Sequence, residues 1–184
     1  MRSVLIRVAA PVLIGLALTG CDQTVKRNLP TGIHNLVLRE FKNPTDQPTL
    51  SAILQEELRM AFRLDGRLNI VDTAEGVGGQ LDGAITEYTK QPARWDVNNV
   101  IQEYRLRVVV DLSLTDLATN QVLWQERGPR DTAARGGAVR KLERFLNFVV
   151  VPSSGLAVET EQDAQRRMVR DLAQDIVLRV IEGW

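Results

Sequence analysis

Glu103–Trp124 reads EYRLRVVVDLSLTDLATNQVLW. Tyr104, Leu106, Val108, Val110, Leu112 and Leu114 occupy the even positions, and Arg105, Arg107, Asp111, Ser113 and Thr115 take the odd ones, broken only by Val109. Successive side chains of a β-strand point to opposite faces, so this alternation makes one apolar and one polar face. A helix would scatter the same apolar residues around its axis. The run breaks at Asp116–Gln121, which is rich in turn formers, and resumes with Val122, Leu123 and Trp124. It predicts a hairpin with a connection of roughly four to six residues. The apolar face needs a cover, and two other stretches supply one.

Upstream, Leu50, Ile53, Leu54, Leu58, Ala61 and Phe62 recur at steps of three and four, with Gln55, Glu56, Arg59 and Arg63 between them. That spacing predicts an amphipathic helix of roughly four turns. Pro48 and Thr49 suit its first turn or cap, and Gly66 suits its C′ position. Downstream, Ala164, Met168, Leu172, Ile176 and Val180 form an i, i+4 row flanked by Val169, Ala173, Val177 and Ile181. Thr160 followed by Asp163 approximates a capping box at the start of this second helix.

Between and around the helices lie weaker strand signals. Ile33, Leu36, Val37, Leu38 and Phe41 suggest one strand, Leu68, Ile70 and Val71 another, and Leu81, Gly83 and Ile85 a third reaching about Tyr88. Asn43–Pro48 reads as a turn, and Gln91–Asn99, with Pro92 and paired asparagines, as an irregular connection. Residues 127–158 are the least legible. Arg127, Arg130, Arg135, Arg140, Lys141 and Arg144 make the stretch basic, Gly128, Gly136 and Gly137 make it loose, and the run Phe145–Val151 fits either an extra strand or a buried loop. The expected architecture is α+β: a two-layer sandwich in the order β-α-β-β-β-β-α. Two amphipathic helices cover one face of a four- to five-stranded, mostly antiparallel sheet.

The first twenty residues read as a leader. Arg2 and Arg7 precede an eleven-residue apolar run, Val8–Leu18, shorter than the ~20 residues a membrane-crossing helix needs but suited to a signal peptide. The run ends in Leu18-Thr19-Gly20-Cys21, which resembles a bacterial lipobox, in which the cysteine carries a diacylglycerol and, after cleavage, an N-acyl chain. Residues 1–20 are then removed, 21–32 form a lipidated tether, and 33–184 form a single domain. Cys21 is the chain's sole cysteine, so its lipidation leaves no thiol for a disulfide or a metal. Losing Arg2 and Arg7 turns 23 basic and 23 acidic side chains into 21 and 23, a balance that steers no nucleic acid to the chain. His34 is the one histidine, too little for a Ser-His-Asp scheme, and no phosphate-cradling Gly-Lys-Ser/Thr sequence occurs. Neither catalytic nor metal-ligating residues are expected, and no cofactor beyond the lipid on Cys21.

Phe41-Lys42-Asn43-Pro44-Thr45, Asp65-Gly66-Arg67-Leu68, Leu81-Asp82-Gly83-Ala84-Ile85-Thr86-Glu87-Tyr88 and Gln102-Glu103-Tyr104-Arg105-Leu106 follow one another behind the lipobox. Leu123-Trp124-Gln125, Glu159-Thr160-Glu161-Gln162-Asp163-Ala164 and Asp171-Leu172-Ala173 complete the series. In this order they resemble the LPS-assembly lipoprotein family LptE, over about residues 33–126 and 159–184. The resemblance implies a non-enzymatic outer-membrane lipoprotein that plugs and helps assemble the β-barrel LptD and contacts lipopolysaccharide during its transport to the cell surface. Residues 127–158 match no part of the pattern. Asp22, directly after the lipidated cysteine, is read in enterobacterial sorting as an inner-membrane retention signal. An auxiliary lipoprotein of an ABC-type lipid transporter, or a subunit of an oligomeric lipoprotein pore, are the competing readings. Arg105 and Arg107 on the polar face of the spine strand, with Arg94 in the loop before it, are the candidate contacts to lipopolysaccharide or partner, because guanidinium groups pair bidentately with phosphate and carboxylate.

Overall fold

The computed structural model describes residues 33–73, 78–126, 142–150 and 158–182. Cys21, the tether and most of the basic insertion lie outside these. The elements in chain order are β1 (Asn35–Leu38), α1 (Thr49–Asp65), β2 (Asn69–Val71), β3 (Gly79–Trp95), β4 (Ile101–Asp116), β5 (Gln121–Glu126), β6 (Leu142–Val149) and α2 (Glu161–Glu182). The architecture is α+β, with two helices on one open, mostly antiparallel sheet. The sheet has six strands, ordered β2-β1-β3-β4-β5 with β6 also paired to β4, one strand more than the alternation made visible.

β4 is the spine. Leu106, Val108, Val110, Leu112 and Leu114 are all buried, as their even spacing requires. Against them α1 places Leu50, Leu54, Leu58 and Phe62, and α2 places Met168, Leu172, Ile176 and Val180, all with no exposed surface. The helices lie side by side in the same direction. Gln165 near the start of α2 donates to Gln47 just before α1 at 3.2 Å, and Glu182 at its end meets Arg67 just beyond α1 at 3.5 Å. Gly66 closes α1 with φ +74°, a conformation that costs a glycine little, and its N–H bonds the Phe62 carbonyl at 3.0 Å. At the other helix the Asp163 N–H reaches Thr160 Oγ1 at 3.2 Å, as the capping spacing predicts.

Two segments differ from expectation. Gln91–Trp95 continues β3 instead of forming an irregular connection, and the turn is only Asp96–Val100. The alternation fades there because that edge of β3 has lost its neighbour: β1 ends at Leu38 and only an isolated bridge, Lys42 to Ala84, lies beyond it. Pro92 has no N–H to give a ladder and fits such an edge. The turn is held by the Asp96 carboxylate, whose Oδ1 accepts the Asn98 and Val100 N–H groups at 2.8 Å each. The second difference is β6, the stretch for which strand and loop were both open. Glu126 at the end of β5 faces Leu112, and Leu142 at the start of β6 faces Val110. β5 and β6 are therefore two pieces of one line along the same edge of β4, separated in sequence by residues 127–141.

α2 is tied down at both ends by ionic contacts. Arg179 Nη1 meets the buried Glu126 carboxylate at 2.5 Å. At the N-terminal end Glu161 accepts from Lys90 at 2.5 Å and from the Tyr88 hydroxyl at 2.9 Å. The Lys90 ammonium, ahead of the Tyr88 hydroxyl, holds the Glu161 carboxyl below the usual carboxylate range, while burial raises that of Tyr88. A lowered carboxyl contributes stability above its unfolded value and loses it as pH falls through the folded one. Acid should thus loosen the start of α2, and Glu161→Gln should flatten that part of an acid-unfolding curve.

Packing generates a further test. Leu172→Ala removes a fully buried side chain and should cost ~2–5 kcal/mol, whereas Arg170→Ala, 61% exposed and 3.5 Å from Glu57, should cost no more than about 0.5–1 kcal/mol. A Cβ on Gly83 would lie 2.1 Å from the Phe41 ring, so Gly83→Ala should destabilise by ~1–3 kcal/mol through overpacking. Urea unfolding of the three variants reads all three values.

Candidate functional site: the uncovered face of the sheet

A side-chain period of two means that every residue facing the helices leaves a neighbour facing away. On β4 that outer row is Glu103, Arg105, Arg107, Val109, Asp111, Ser113 and Thr115. Its neighbours follow from the register. Arg107 faces Thr89 of β3 and Phe145 of β6, and Arg105 faces Gln91 and Asn147. A bulge between Ile85 and Glu87 shifts β3 by one residue, so that Leu81 and Ile85 face the helices on one side of it and Tyr88 and Lys90 on the other, leaving Glu87 on the outer face.

The three sequence-predicted arginines all reach this part of the protein, and each has a partner. Arg94 lies on β3, not in a loop, and its Nε is 3.2 Å from Glu103 Oε2. Arg105 Nε donates to Asn147 Oδ1 at 3.0 Å and meets no carboxylate among the described residues. Arg107 is clamped between two carboxylates from opposite neighbouring strands. Its Nη1 bonds Glu87, and its Nε and Nη2 lie 3.2 and 3.0 Å from Glu143 Oε2. Because Glu87 and Glu143 flank Val109 in the register, the guanidinium spans Val109, which is fully buried on a face that otherwise meets water. That accounts for the one break in the alternation. Arg107 also lies 5.8 Å from the centre of the Phe145 ring, a ring 50% exposed.

The sequence reading missed Glu87, Glu143, Phe145 and Asn147. Glu87 was in plain view, but its bond to Arg107 needs the bulge. The other three lie on β6, in the stretch that could not be assigned. Of the basic insertion, Arg144 is described and points to the helical side, 3.3 Å from Asp175; Arg127–Lys141 lie outside the described residues. Two other surfaces expose apolar groups. The β3–β4 turn carries Trp95, Val97 and Val100, and an open groove of about 340 Å³ between the helices is lined by Met60, Ala61, Leu64 and Leu178. Among the described residues no helix is long and apolar enough to cross a membrane, and no cluster of His, Cys, Asp and Glu could hold a metal.

The sequence pattern of the LptE lipopolysaccharide-assembly family matches residues 33–180, from the residue before His34 to the last turns of α2. No curated protein matches the sequence. Among solved structures, lipoprotein B from Nitrosomonas europaea is similar at 18% identity, covering 84% of this chain and 89% of that one, with a TM-score of 0.50. At that identity the likeness concerns the fold. A minor lipoprotein from Acinetobacter baumannii shares 18% identity over 80% of this chain and 91% of its own, with a TM-score of 0.48. The PelC dodecamer from Paraburkholderia phytofirmans shares 14% over 84% and 92%, with a TM-score of 0.47.

The site yields a stability contrast. Arg107→Ala removes the guanidinium that Glu87 and Glu143 share across Val109 and should cost ~1–2 kcal/mol, while Arg105→Ala should stay within roughly ±0.5 kcal/mol. Thermal unfolding at matched pH separates them, and raising the salt concentration should narrow the gap because partly exposed pairs are screened.

Proposed function

The chain belongs to the LptE lipopolysaccharide-assembly family, and from that membership we propose that it is a lipid-anchored, non-enzymatic component of the outer membrane's lipopolysaccharide export machinery. In this reading Cys21 carries the diacylglycerol and N-acyl chains, the domain plugs and helps assemble an LptD-like β-barrel, and the uncovered sheet face meets lipopolysaccharide during its passage to the cell surface. The observation that carries the reading is that the family pattern runs through both helices and the sheet, so it takes in the whole described domain and not a shared strand-helix unit. The division of the sheet supports it. One face is buried under α1 and α2, and the other is an ordered polar surface of Arg, Glu, Asn and Gln, a composition suited to a wet barrel interior. No step in this role forms or breaks a covalent bond, so the work of the protein is binding and placement.

The direct test is a crosslinked pull-down of the lipidated protein from membranes. An LptD-like barrel should be captured in near-stoichiometric amount, and fractionation should place both in the outer membrane. Recovery in the inner membrane with a transporter, as Asp22 would favour, would replace this reading. Cys21→Ser should abolish metabolic lipid labelling and leave the leader uncleaved by the lipoprotein signal peptidase; unchanged labelling would remove the anchor from the proposal.

A further inference from the structure

Arginines on a polar face suit phosphate or carboxylate, yet the charges around these three argue for another ligand. Arg94 pairs with Glu103 and Arg107 with both Glu87 and Glu143, while among the described residues Arg105 meets only an amide. Three guanidinium groups thus share the patch with three carboxylates, and Asp111 and Asp82 extend the acidic side of the same face. A phosphate approaching Arg107 would have to displace a carboxylate or sit beside two of them, which is repulsive at such distances. The patch as a whole is not an anion site.

We infer that this patch of the β3–β4–β6 face is a platform for a neutral, polyhydroxylated saccharide, with Phe145 as its stacking surface and Arg105, Asn147 and the Arg107–Glu143 pair as its hydrogen-bonding groups. The inference rests on the reading above that the chain contacts lipopolysaccharide, and it specifies which part of that molecule the sheet takes. A sugar hydroxyl both donates and accepts, so it needs donors and acceptors interleaved in one plane, which paired guanidinium, amide and carboxylate groups provide. The apolar C–H face of a pyranose ring is faintly positive and seeks the negative face of an aromatic ring. Phe145 is half exposed on β6, the outer strand of the patch, with Arg107 of the central strand beside it. Asn147 spends its Oδ1 on Arg105, and its amide nitrogen has no acceptor among the described residues. Three strands at ~4.8 Å spacing and four outward residues per strand make a surface of about 10 by 20 Å, room for a short oligosaccharide. The pairing across strands holds these side chains in place before any ligand arrives, which lowers the ordering cost of binding.

The test uses the full-length lipidated protein in detergent and two probes, a delipidated, dephosphorylated and carboxyl-reduced (hence neutral) oligosaccharide from lipopolysaccharide and inorganic pyrophosphate. Saturation-transfer NMR should show the oligosaccharide receiving magnetisation from the protein, with little change between about 50 and 500 mM salt, since no net charge is neutralised. Phe145→Ala should weaken its binding about tenfold, the scale of one lost aromatic contact, and Phe145→Trp should restore it, which separates a lost platform from a misfolded sheet. Pyrophosphate should not compete. Competition by pyrophosphate, steep salt dependence, or full binding by Phe145→Ala would overturn the saccharide platform. The two levels of reading fail differently. If intact lipopolysaccharide copurifies with the wild-type protein while the neutral oligosaccharide does not bind, the platform falls and lipopolysaccharide contact stands. If neither binds, both fall.

Discussion

Everything in this structure depends on the two-residue period of β4. Its even positions are apolar and its odd ones polar, so slipping the register by one residue would turn five buried aliphatic side chains to water and drive Arg105 and Arg107 into the helices. That constraint fixes which face α1 and α2 must cover and which must stay open. It also fixes the neighbours, since β3, β5 and β6 all take their register from β4. The helices in turn need the sheet, because a stripe of leucines on one side of a helix is stable only against another apolar surface. The covered face is a matter of folding, and the open face is what remains for function.

On the open face the same pairing rule acts on charge. Arg107 is long enough to bridge its two neighbouring strands, and its bonds to Glu87 and Glu143 cover Val109 with polar groups. An arrangement of this kind does several things together. It keeps an apolar residue dry on a wet surface, it ties β3, β4 and β6 through one side chain, and it removes the net positive charge that the bare sequence suggests. A surface with balanced, ordered donors and acceptors favours a polar neutral ligand or a polar wall over an anion. For a member of a lipopolysaccharide-assembly family, this shifts attention from the phosphates to the sugars.

The elements that could be read from the sequence were those whose signal is local. The alternation of β4, the three-four spacing of Leu50 to Phe62 and of Ala164 to Val180, Gly66 at positive φ and the Thr160–Asp163 cap each concern residues within a few positions of one another. They translated directly into β4, α1, α2 and their termini. What could not be read depends on distant partners. Gln91–Trp95 is a strand because β4 lies beside it, although Pro92, with Gln91 and Arg94 around it, gives it no period. β6 has apolar residues facing both ways, Leu142 and Phe148 inward and Phe145 outward, so its alternation is blurred. The three arginines were found because arginine on a polar face is visible in one dimension. Their carboxylate partners were not, because Glu87 and Glu143 reach Arg107 only after a bulge and a strand from the far side of residues 127–141 are in place.

The central claim is that the uncovered sheet face is where this protein meets its cargo and machinery. Site-specific photocrosslinking in living cells tests it most directly, with a photoreactive residue placed in turn at Gln91, Asn147, Arg166 and Leu178. The two sheet positions should trap lipopolysaccharide or an LptD-like barrel, and the two helical positions should trap them far less. Crosslinks concentrated at Arg166 and Leu178, with Gln91 and Asn147 silent, would contradict it and move the working surface to the helices.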